Sequence, residues 1–129
     1  MSLKDKLLSI GGDDVLIPTF EYHEDEIVER GETWSRNDTE VILELGEDNE
    51  CHKNTSELWY LNKDELEVYI VSGYALIDDD DSTWVQHSWL LLKESNRDVI
   101  IETTMERDIY YGYILNKIES EEFLAFNYQ

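Results

Sequence analysis

Three segments of this 129-residue chain carry side chains that could do chemistry together: Glu50-Cys51-His52-Lys53-Asn54, Gln86-His87-Ser88-Trp89 and Ile101-Glu102-Thr103-Thr104. A cysteine is reactive as its thiolate, and the free N–H groups and dipole of a helix N-terminus favour that charge. The same N–H groups can hold the oxyanion of a tetrahedral intermediate. A histidine on a neighbouring strand can take the thiol proton and return it to a leaving group, and a carboxylate on the strand beyond can fix the imidazole tautomer. Cys51, His87 and Glu102 are therefore the candidate catalytic residues, and Asn49 or Asn54 could add an oxyanion donor.

Cys51 is the chain's one cysteine. That excludes an intramolecular disulfide and any multi-cysteine zinc site. With His23, His52 and His87 alone beside it, a zinc site would need carboxylates, which are too abundant here to be informative. No metal or cofactor is expected. A lone cysteine is either a small buried apolar side chain or a reactive thiolate, and both readings stand at this point. His52 turns away from Cys51 by one helical step, as a surface residue or substrate contact. His23 reads as exposed and without a role. Trp84, Trp89, Tyr74, Tyr110, Tyr111 and Tyr113 read first as core and sheet-face residues, with Trp89 and Tyr111 expected to line the cleft as well. Trp34 lies in a weakly patterned stretch.

The elements that must hold these residues follow from periodicity. Residues 2–10 predict a short helix stopped by Gly11-Gly12. Val15-Leu16-Ile17 and residues 41–45 look like short strands, with loop or frayed helix between them. Residues 46–50 form a turn in which Asp48 or Asn49 could cap a helix over about 51–61. Residues 66–71 and 74–77 predict a strand broken by a bulge at Ser72-Gly73. Residues 84–92 and 99–103 predict two more, joined by tight turns into an antiparallel meander. Alternation then puts Val85, His87, Trp89 and Leu91 on one face. Residues 110–115 add a fourth strand or cover the sheet, and 117–126 form a terminal helix with Ile118, Phe123 and Leu124 inward. The expectation is one α+β domain over residues 1–129, a central helix packed on an antiparallel sheet. Its core lies in 46–115, with an N-terminal segment over 1–45 and a helix or tail over 116–129.

Thirty-one Asp and Glu against ten Lys and Arg give a net charge of −21. Such a surface repels nucleic-acid phosphates and anionic lipids, so direct nucleic-acid or membrane binding is disfavoured. A basic protein or a cationic peptide or amine is the expected partner, and the oligomeric state is left open. The charge could also serve a DNA mimic, solubility alone, or adaptation to high salt. With 41% hydrophobic and 12% aromatic residues the chain can bury a core, which excludes a disordered acidic tail. The acidic run 78–81 invites calcium but lacks EF-hand spacing, and a solvated turn is the simpler reading. No window approaches a membrane span and no signal peptide is evident, so a cytoplasmic protein is expected. The composition fits a bacterial or phage genome.

A cysteine opening a helix, a strand with Gly73-Tyr74-Ala75, a strand with His87-Ser88-Trp89 and a strand ending in Glu102-Thr103-Thr104 resemble the core of transglutaminase-like proteins, within the wider papain-like group. The resemblance covers about residues 46–104. Glu102 stands where that family usually has Asp, Thr103 where it has Pro, and Asn49 where it has Gly. It implies a papain-like core with Cys51 as nucleophile, His87 as general base and Glu102 as the orienting acid. Members act as peptidases, amidases, deamidases or acyl transferases, and some have lost catalysis. The resulting expectation is cysteine-dependent acyl transfer or amide hydrolysis. The alternative is a non-catalytic acidic protein that binds a basic surface.

Overall fold

The structure, a computed structural model, describes residues 2–18, 21, 23–77 and 82–127. The acidic run 78–81, read above as a turn, lies outside them. The elements are α1 (Leu3–Ile10), β1 (Asp14–Leu16), α2 (Glu24–Arg30), β2 (Glu32–Ser35), β3 (Glu40–Leu43), α3 (Cys51–Asn62), β4 (Val68–Leu76), β5 (Thr83–Lys93), β6 (Asp98–Glu102), β7 (Ile109–Ile114) and α4 (Lys117–Asn127). The architecture is mixed α+β. No helix among the described residues is long and apolar enough to cross a membrane.

Helix α1 shows how local chemistry sets the elements. The Ser2 hydroxyl accepts from the Asp5 N–H at 3.1 Å, and beyond the last turn the Gly11 N–H donates to the Leu7 carbonyl at 3.2 Å. Leu3 and Leu7, four residues apart, share the buried stripe. β4, β5 and β6 form the expected antiparallel meander, with His87 opposite Gly73 and Leu90 opposite Ile101.

Beyond the meander the expectation needs correcting. The order along the sheet is β2-β7-β4-β5-β6-β3, so of the two alternatives for residues 110–115 the added strand is the one formed, as β7 on the far side of β4. β3 lies parallel to β6 and β1 parallel to the start of β5, which makes the sheet mixed, not purely antiparallel. Tight-turn signals speak only for strands adjacent in sequence, and these parallel partners are far apart in the chain. β4 runs through Ser72-Gly73 in unbroken register, without the expected bulge. Residues 24–35, read as loop or frayed helix, form α2 and β2, which bury little beyond Ile27 and Trp34. In α4, Phe123 and Leu124 pack on the core, but Ile118 is 67% exposed and does not face inward.

The sheet has two different faces. Tyr74, Leu90, Tyr111 and Tyr113 point to the helices, where they meet Leu3, Leu7, Ile27 and Trp59. Val71, Ala75, Trp89, Leu91, Ile100 and Tyr110 point the other way and form a second apolar cluster with Trp34. Trp34 and Trp89 meet edge-to-face with centroids 6.2 Å apart, although β2 and β5 are separated by two strands. A flat sheet would hold those strands about 14 Å apart, so the sheet curls over this second face.

Candidate active site

Cys51 is the first residue of α3. Glu50 before it makes no side-chain cap, and the helix's own bonding begins with the Asn54 N–H donating to the Glu50 carbonyl at 2.8 Å. The first-turn N–H groups are thus uncapped by side chains at the position of the thiol. The role expected of Asp48 or Asn49 as cap is not filled. Asn49 instead adopts φ +62°, a left-handed conformation that asparagine tolerates, and turns the chain into the helix.

His87 sits at the middle of β5, where the partners of that edge change. Residues 83–85 pair with β1 and residues 90–93 with β6. Alternation puts His87 on the curled face beside Trp89, whose ring stacks on the imidazole with centroids 5.8 Å apart and planes 25° apart. Glu102 ends β6 on that face, fully buried. His87 Nε2 and Glu102 Oε1 are 2.7 Å apart. With Nε2 engaged, Nδ1 is the imidazole nitrogen left for the thiol, and Cys51 and His87 line the same cleft.

The Glu102 carboxylate is fully partnered. Oε1 also accepts from the Tyr110 hydroxyl at 2.9 Å, and Oε2 accepts from the Thr104 N–H at 3.0 Å and the Thr104 hydroxyl at 3.1 Å. Tyr110 Oη in turn accepts from the Arg107 N–H at 3.1 Å. Burial opposes ionisation, but the bonds from His87, Thr104 and Tyr110 outweigh it and hold Glu102 below the usual carboxylate range. For His87, burial acts downward, yet Cys51 and Glu102 together raise it. Burial likewise pushes the Cys51 thiol up, and the hydrogen bonds and positive potential of His52 and His87 overcome this and bring it down to about 5.

His52 departs from its expected surface role. Its Nδ1 lies 2.7 Å from the hydroxyl of Ser88, which is fully buried on the helix face of β5, and its ring stands edge-on to Phe123. His52, next to Cys51 in the chain, also favours the Cys51 thiolate.

The remaining sequence candidates divide. Asn49, Cys51, His87, Thr104 and Arg107 line one cleft of about 420 Å³. Asn54 is not free to donate to an oxyanion, because its amide clamps the preceding turn: Nδ2 donates to the Glu47 carbonyl at 2.8 Å and Oδ1 accepts from the Glu47 N–H at 3.1 Å. Trp89 is fully buried beneath His87 rather than exposed to the cleft. Tyr111 points to the opposite face, where its hydroxyl donates to the Ile27 carbonyl at 2.9 Å, so it takes no part in the cleft. His23 is exposed, 6.3 Å from the Tyr113 ring. Sequence reasoning missed His52, Ser88, Tyr110 and Arg107. The adjacency of Ser88 to His87 was the one signal that could have suggested a second hydrogen-bonding group there.

Among the described residues no cluster of His, Cys, Asp and Glu is arranged to hold a metal. No protein-family model, curated protein or solved structure matches the chain.

Proposed function

We propose that this protein is a cysteine-dependent amide hydrolase or acyl transferase, built on a papain-like core of the transglutaminase-like kind. The observation that supports this most is the buried Glu102 carboxylate held on His87, in the cleft that His87 shares with a cysteine at a helix N-terminus. A structural cysteine needs neither a depressed pKa nor an oriented imidazole.

The chemistry follows from that order. The Cys51 thiolate attacks a carbonyl carbon; an S–C bond forms and the C=O electron pair moves to oxygen. First-turn N–H groups of α3 receive the oxyanion. As the tetrahedral intermediate collapses, protonated His87 gives its proton to the departing amine or thiol. Neutral His87 then takes a proton from water or an amine that attacks the acyl-enzyme, and the S–C bond breaks. Glu102 holds the imidazole in the tautomer both steps require. A cleft of about 420 Å³ accommodates a small acyl group or a short peptide segment. The field of a −21 protein draws a cationic amine as the acceptor.

The test is to trap the acyl-enzyme. Incubation with an activated ester followed by peptide mass spectrometry should place one acyl group on Cys51 in the wild type and far less in His87→Ala. Acylation spread over lysines, with Cys51 unmodified, would overturn the proposal.

A further inference from the structure

Arg107 stands in the same cleft as Cys51 and His87. The chain has four arginines. Arg30 pairs with Glu119, Arg36 with Glu106 and Asp108, and Arg97 with Glu40 and Glu94. Among the described residues no carboxylate lies within ion-pair distance of Arg107, although the chain holds three acidic residues for every basic one. An unpaired guanidinium on so acidic a surface is held by something other than the nearest carboxylate.

Two bonds fix it. The Arg107 N–H donates to Tyr110 Oη, which donates to Glu102 Oε1, the atom that meets His87. The Arg107 backbone is therefore tied to the same carboxylate that orients the imidazole. Its side-chain Nε donates to the Met105 carbonyl at 2.8 Å. The Nη groups carry no hydrogen bond among the described residues, which leaves the forked edge of the guanidinium for a ligand. That fork matches a carboxylate in bidentate geometry. Asp48, on the loop that leads into α3, is the carboxylate lining the same cleft, so beside the Cys51–His87 pair the cleft has one anionic and one cationic side chain.

We infer that Arg107 is a specificity-determining residue that binds a carboxylate carried by the acyl substrate of Cys51. This rests on the cysteine chemistry proposed above and adds the substrate class: an acyl group with its own anionic end, even though the molecule as a whole repels anions. A long-range field and a local contact act at different distances, so the two are compatible.

The experiment compares two alkylators of nearly the same size, anionic iodoacetate and neutral iodoacetamide. Each forms an S–C bond with the Cys51 thiolate as iodide leaves. Rates are measured near neutral pH at about 0.15 M ionic strength, where the screening length is about 8 Å and the surface charge is largely hidden. The expected result is a ratio of iodoacetate to iodoacetamide rates that falls about fivefold in Arg107→Gln, the scale of one partly exposed ion pair, and recovers only in part in Arg107→Lys, which keeps the charge but not the fork. Fast labelling by iodoacetamide with the same rate ratio in wild type and Arg107→Gln overturns the carboxylate site alone. Labelling by both reagents at the pace of an ordinary thiol overturns the cysteine chemistry and the site with it.

Discussion

The Tyr110 hydroxyl donates to Glu102 Oε1, the same oxygen that meets His87 Nε2. One carboxylate oxygen thus joins β5, β6 and β7. It does so because β7 runs beside β4 and the sheet curls, bringing Tyr110 over the end of β6. The tyrosine hydroxyl keeps its proton, since burial and the neighbouring Glu102 charge both raise its pKa. It acts as a fixed donor.

Replacing Tyr110 by Phe removes that donor and leaves the Arg107 N–H without its acceptor. The expected cost is about 1–3 kcal/mol of folding stability, the range for losing a buried hydrogen bond to a charged group. Denaturant unfolding would measure it. With one donor fewer, Glu102 becomes a more basic acceptor and should hold the His87 imidazolium at least as firmly, so the alkylation profile of Cys51 should not shift to higher pH in the same variant.

Ser88→Ala and His52→Gln test the second imidazole. Ser88 fixes His52 Nδ1 at 2.7 Å, and His52 contributes to the low pKa of Cys51. Both variants should raise the midpoint of Cys51 alkylation, His52→Gln by more. Circular dichroism should show the fold retained. An unaltered midpoint in both would mean that His87 alone sets the thiolate.

Folding stability should carry the signature of the pair. Cys51 is lowered to about 5, so its contribution is complete above the unfolded cysteine value of about 8.5 and is lost as the pH falls toward 5. His87 is raised, so its contribution is complete below the unfolded histidine value of about 6.5 and is lost as pH rises through its folded value. The pair stabilises most between the Cys51 value and that of folded His87. Cys51→Ala should flatten this part of the stability–pH curve, measured by denaturant midpoints across the range.

Gly73 lies opposite His87 and close to β7. A Cβ there would fall 2.1 Å from the Tyr111 carbonyl oxygen and 2.4 Å from the Gly112 Cα. Backbone in the middle of a sheet cannot move aside. Gly73→Ala should cost about 1–3 kcal/mol, or more if the strands separate. Thermal melting would show it.

The parts of this fold that were legible in the sequence are those with local signals. The start of α3 at Cys51 follows a turn-forming stretch, and alternation along β5 puts His87 and Trp89 on one face. The tyrosines of β7 were not legible. Tyr110 and Tyr111 are neighbours, alternation sends one to each face, and nothing local says which meets Glu102. The structure assigns Tyr110 to the site and Tyr111 to the helix side, opposite to the sequence expectation. His52 escaped for a related reason. Adjacent residues on a helix diverge, and its return toward the thiol depends on Ser88, a residue of another element. β1 and β3 were legible as strands, but their parallel pairing was not, because their partners are distant in the chain. Their outward side chains, such as Leu16 and Leu43, also blur the burial pattern.

The central claim is that Cys51 is held as a thiolate by an oriented His87. The measurement that tests it most directly is the rate of Cys51 alkylation by iodoacetamide from about pH 4 to about pH 9, in wild type and His87→Ala. The expected result is a wild-type midpoint near 5, with fast labelling at mildly acidic pH, and a clear upward move in the variant. A wild-type midpoint near 8.5, the value of a free cysteine, or a profile that His87→Ala leaves in place, would contradict the claim.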